Sequence, residues 1–135
     1  MLNIGDCFTL HSSGKPHLHI VIQDQKPGDI NCQVICVYLS SVGNKTIIDD
    51  QTILQKDQHS FITKRSFVRY RNALIESKRV LESRIIETYE PIDPDILREI
   101  RSQFFEPNAY RNIPKIIIAL FNEWNLNQIY NDPDF

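Results

Sequence analysis

The chain of 135 residues reads as an α+β domain, a small β-barrel followed by two C-terminal helices. Three observations predict this. Apolar residues alternate with polar ones in short runs through the first 70 residues, and turn residues punctuate those runs. After residue 90 the apolar spacing changes to every fourth residue, the mark of an amphipathic helix. A hydrophobic content of 41% is enough for one core, while the longest apolar run, Ile116 to Phe121, falls far short of the roughly 20 residues of a membrane helix. The expected division is a barrel over 1–90 and a helical extension over 91–135.

Gly5-Asp6 precedes a first strand at Cys7 to Leu10, which Ser12, Ser13, Gly14 and Pro16 end. Leu18, Ile20 and Ile22 alternate through a second strand over 17–24, leaving His17 and His19 on its other face. In Lys26-Pro27-Gly28-Asp29 the proline presets φ and the glycine accepts a positive φ, so a type II turn and a hairpin are expected. Cys32 to Leu39 is apolar on both faces except at Gln33, as in a central strand, and Ser40 and Ser41 close it. Gly43-Asn44 supplies a turn and Thr46 to Ile48 a short strand. Residues 51–60 read as a loop with a brief strand at Ile53-Leu54, and β character returns at Phe61-Ile62 and Phe67-Val68.

Asp93 caps a helix that Pro94 opens, and Ile96, Ile100 and Phe104 give it one apolar face. Pro107 ends that helix. Pro114 opens the second, whose wide apolar face holds Ile116, Ile117, Leu120, Phe121 and Trp124, and residues 125–135 read as a frayed end.

Charge is unevenly distributed behind a net value of −2. Residues 61–80 carry six basic side chains against one acidic, whereas 81–135 carry five against ten. A locally basic surface is therefore compatible with an acidic protein, and RNA is not excluded as a partner. The N-terminus lacks the pattern of a secretory signal, so a cytoplasmic protein is expected. Cys7, Cys32 and Cys36 are odd in number and without zinc-knuckle spacing, as expected of buried thiols.

Three readings of His17 and His19 stand side by side. As metal ligands they need a third partner, for which His11, Asp24 and His59 are the candidates, but no Glu or His follows at an interpretable spacing and no metal is expected. As plain strand residues they are the wet face of a barrel. As acid and base they suit cleavage of a phosphodiester, because an imidazole titrates near pH ~6.5. Lys15 then supplies a cation for the phosphorane, and Ser40 and Ser41 hydrogen-bond a phosphate oxygen. In "TKRSFVRYR", residues 63–71, Lys64, Arg65, Arg69 and Arg71 interleave with Phe67 and Tyr70, a pattern that suits backbone neutralisation and base stacking on single-stranded RNA. A solvated charged edge explains the same pattern.

In motif order, residues 4–80 resemble the PemK/MazF-like toxin family. Gly5-Asp6 opens the first strand as the family's Gly-Asp does, and Lys15-Pro16 before "HLHIVI" is similar to its Arg-Pro before an apolar strand. "VICVYLSS" is similar to its apolar strand ending in Pro-x-Thr-Ser. His59-x-Phe61-Ile62 and Ser66-x-Val68-x-Tyr70 resemble the signature of a divergent branch. The resemblance implies an SH3-like barrel, metal-independent and cofactor-free cleavage of single-stranded RNA, a cognate antitoxin protein that occupies the RNA groove, and a homodimer. By position, the family's catalytic arginine falls on Lys15 and its catalytic threonine or serine on Ser40. Lysine is a point charge where arginine is a bidentate clamp, and Tyr38 stands in place of a proline. His17 or His19 is then the group that supplies what the arginine does not.

The resulting expectation is a toxin-like endoribonuclease with Lys15, His17, His19 and Ser40 at its chemistry, and with Ser41, Lys64, Arg65, Arg69 and Tyr70 holding RNA. A non-catalytic barrel that binds RNA or protein is the alternative.

Overall fold

The computed structural model describes residues 2–11, 14–43, 52–105 and 113–130. The strand expected at Thr46 to Ile48 and the stop expected at Pro107 lie outside them.

Among the described residues the chain builds α+β architecture on seven antiparallel strands. Strands β1 (Cys7–Leu10), β2 (Leu18–Asp24) and β3 (Gln33–Ser41) form a meander, in which Phe8 lies opposite His19 and His19 opposite Tyr38. The turn between β2 and β3 closes with Asp29 N–H donating to the Lys26 carbonyl, and Gly28 takes a φ of +79° there. The long β3 has two partners along its other edge. Its second half pairs with β5 (Ser66–Val68), which pairs in turn with β4 (Ile53–Leu54), and its first half pairs with β6 (Leu74–Ser77). β7 (Ile85–Tyr89) adds to β1. The sheet is open, with β4 and β7 at the ends of its path.

Among the described residues three α-helices pack on this sheet. A short α1 (Lys78–Arg84) links β6 to β7, capped where the Ser77 side chain accepts from the Val80 amide. It adds a third helix to the two expected. In α2 (Pro94–Phe105), the Asp93 carboxylate accepts from the amides of Asp95 and Ile96, as the capping pattern predicts. α3 (Lys115–Tyr130) runs past the expected fraying point, because Gln128 donates to the backbone and side-chain oxygens of Asp24. No helix among the described residues is long and apolar enough to cross a membrane.

Both faces of the sheet are covered, which is why β3 is apolar on each side. On one face Leu18, Ile20, Ile22, Val37 and Leu39 share a core with Ile100, Phe104, Phe121 and Trp124 of α2 and α3, and the Phe104 and Phe121 rings stack at 5.1 Å. On the other, Phe8, Leu10, Val21, Val34 and Cys36 pack around Leu81 of α1. The face carrying His17 and His19 is therefore wet only where α1 does not reach. Phe61 and Ile62, expected as strand, lie in the loop before β5, with Ile62 plugged into the first core. The three cysteines are free and buried; burial pushes the Cys7 thiol up to about 12 and Cys36 further, so both stay protonated.

A shelf of rings beside a lysine-lined pocket

The open end of the second face carries a cluster of rings. His19 stacks on Phe8, with centroids 5.8 Å apart and planes 15° from parallel. His17 and His19 both lean on Tyr38, at 5.0 and 5.3 Å. The Arg69 guanidinium stands 5.9 Å above the Tyr38 ring and 5.7 Å from that of Phe67, and Asn72 holds its Nε at 3.1 Å. Strand register explains the grouping: Phe8, His19 and Tyr38 are cross-strand neighbours, and Arg69 N–H donates to the Tyr38 carbonyl.

Backbone carbonyls set the tautomer of both imidazoles. His17 Nδ1 lies 3.0 Å from the Leu39 carbonyl and His19 Nδ1 3.0 Å from that of His17. A carbonyl only accepts, so each Nδ1 carries hydrogen and each neutral ring keeps its lone pair on Nε2. Neither ring is fully buried. Burial lowers the pKa of His19, and the nearby charges of His17 and Arg84 push the same way against the opposing hydrogen bond to the His17 carbonyl. His19 is thus a neutral acceptor at physiological pH.

Next to the shelf lies a pocket of 310 Å³ whose walls include Lys15, His17 and Ser41 on one side and Phe61, Thr63 and Lys64 on the other. His17 belongs to both features. The two lysines are exposed, and the recess joins their charge to hydroxyls, one imidazole and the apolar Leu39, Phe61 and Ile62.

The expected residues divide between these places. Lys15, His17, Ser41 and Lys64 meet at the pocket, and His17, His19 and Arg69 on the shelf. Ser40 is 6% exposed, pairs across the sheet with Phe67 and is not part of the pocket lining; Ser41 is. Arg65 is exposed and joins neither feature. Tyr70 is corrected: it is wholly buried, its ring packs on Phe104 and its hydroxyl bonds that of Thr52, so no base can stack on it. The turn of 3-10 helix at Tyr70–Asn72 swings that side chain into the core.

Two of the three candidate third metal ligands, Asp24 and His59, are engaged elsewhere, and His11 is exposed. Asp24 pairs with Lys78, while His59 donates from Nε2 to the Glu90 carbonyl at 2.8 Å and accepts at Nδ1 from the Phe61 amide. The described residues contain no group of three or more His, Cys, Asp or Glu able to hold a metal ion. Tyr38 was missed as a functional residue, although pairing the two strands in register already sets it against His19. Compared with protein-family models, curated proteins and solved structures, the chain matches none.

Proposed function

We propose that the protein is a toxin-like endoribonuclease that cleaves single-stranded RNA without a metal ion. One observation carries the reading: two imidazoles with fixed tautomers share Tyr38 with Arg69, and one of them also lines a pocket containing two lysines. Bases stack on the shelf and the phosphate enters the recess, the division of labour by which proteins grip single strands.

In this reading His19 is the base. Its Nε2 takes the 2′-hydroxyl proton, the 2′-oxygen attacks phosphorus and the bond to the 5′-oxygen breaks. His17, protonated on Nε2, returns a proton to that leaving oxygen. Lys15 stabilises the phosphorane, Lys64 grips the RNA phosphate, and Ser41 hydrogen-bonds a non-bridging oxygen, a role the motif comparison gave to Ser40. The products are a 2′,3′-cyclic phosphate and a 5′-hydroxyl.

The motif resemblance supports the same reading. It casts the open sheet as the frame of an SH3-like barrel, with a cognate antitoxin covering the shelf and a homodimer as the working unit. The second reading, RNA binding without chemistry, draws on lysine standing where the family has arginine. Filter retention and product analysis with a mixed-sequence RNA separate the two. Cleaved RNA with cyclic phosphate ends supports the enzyme, retention of intact RNA supports the binder, and RNA neither cut nor retained at low salt contradicts both.

A further inference from the structure

Part of the pocket lining is a loop held in part by a residue far from it in sequence. Residues 55–65 fold back on themselves: Ile62 N–H donates to the His59 carbonyl and Asp57 N–H to the Ile62 carbonyl. Ile62 plugs the loop into the core, Val42 N–H donates to the Arg65 carbonyl at its far end, and a further tether is Glu90, at the joint between β7 and α2. The Glu90 carboxylate accepts from the Ser60 amide at 2.8 Å and from the Ser60 hydroxyl at 2.6 Å, and its backbone carbonyl accepts from His59 Nε2. The two Ser60 bonds hold the carboxyl down to about 2, so it is ionised at every physiological pH. Tyr89 reinforces the tether, meeting Phe61 edge-on at 5.2 Å. Directly after these anchors the chain supplies Phe61, Thr63 and Lys64 to the pocket.

We propose that Glu90 is the positioning residue of the pocket, a latch that fixes the Phe61–Lys64 part of its lining and so sets affinity for the RNA phosphate. Glu90 itself does not line the pocket. The inference rests on the RNA reading above, and it adds a control point outside the motifs that led there. His17 and His19 hang from β2 and β3, not from the loop, so loosening the latch changes how the phosphate is gripped and leaves the proton-transfer groups in place.

The test compares the full chain with Glu90→Ala and Glu90→Gln. Glutamine keeps both contacts, because its amide oxygen accepts from the Ser60 amide and its NH2 group donates to the Ser60 hydroxyl, which then acts as acceptor. Hydrogen exchange at the Ser60 and Phe61 amides is read first, without RNA. Faster exchange in Glu90→Ala and near wild-type exchange in Glu90→Gln are expected. Cleavage of a mixed-sequence RNA is read next, with KM rising about threefold to tenfold in Glu90→Ala, kcat within about twofold, and Glu90→Gln restoring KM. Unchanged loop exchange in Glu90→Ala overturns the latch whatever the RNA result. Equal losses of kcat in both variants also overturn it, and wild-type protein that ignores RNA overturns the reading on which it rests.

Discussion

His19 carries a stability signature of its own. Folding lowers its pKa from 6.5, so between the folded value and 6.5 the unfolded chain binds more protons than the folded one. The stability owed to neutral His19 is complete above pH 6.5 and is lost as pH falls from there through the lowered folded value. The slope of that loss is at most about 1.4 kcal/mol per pH unit. Urea melts of wild type and His19→Gln across this range test it: the wild-type curve falls toward acid and the variant curve is flatter by that single-proton slope. Parallel curves contradict the burial of this ring. Tyr70 makes the complementary point, since its place in a basic, aromatic stretch signals RNA while a single turn of 3-10 helix spends it on the core. Neighbours in sequence told the wrong story there, because one peptide rotation decides which way a side chain points.

Among the elements, the joint that ties β2, α1 and α3 together is ionic. Lys78, with no exposed surface, stands 3.6 Å from Asp24 and its Nζ has no hydrogen-bond partner among the described residues, while Asp24 is further held by Gln128. Burial raises the Asp24 pKa and Lys78 opposes that rise. Removing one partner strands the other in the interior. Asp24→Ala is expected to cost about 3–5 kcal/mol in urea unfolding, whereas the double replacement Asp24→Leu with Lys78→Met costs far less. Equal costs for the single and double variants contradict the pairing. β1 to β3 and the start of α2 were legible because alternation, a Pro-Gly turn and an Asp-Pro cap are local signals. β6, α1 and β7 carried no such signal: their half-exposed residues do not alternate cleanly, and long-range pairing with β3 and β1 decides their form. The helical state of residues 125–130 was hidden for the same reason, because its anchor, Asp24, is a hundred residues away in the chain.

At the scale of the whole molecule, the sheet has one face sealed by α2 and α3 and the other sealed by α1 only in part. The unsealed part is the shelf. Lys15, His17, His19 and Arg69 were legible as residue types, and the β2–β3 register sets His19 against Tyr38; Phe61, Thr63 and Glu90 were not, since a loop and a distant joint bring them in. The basic stretch 61–80 divides, with Lys64 and Arg69 at the site and Lys78 buried at the ionic joint. The central claim is that the two imidazoles cleave RNA without a metal. Its most direct measurement is the rate at which purified wild type, His17→Gln and His19→Gln cut a mixed-sequence single-stranded RNA in EDTA. Wild type is expected to cut, leaving cyclic phosphate ends, and each variant to be slower by about a hundredfold or more. RNA left intact by the wild type, or cut as fast by the two variants as by the wild type, contradicts the claim.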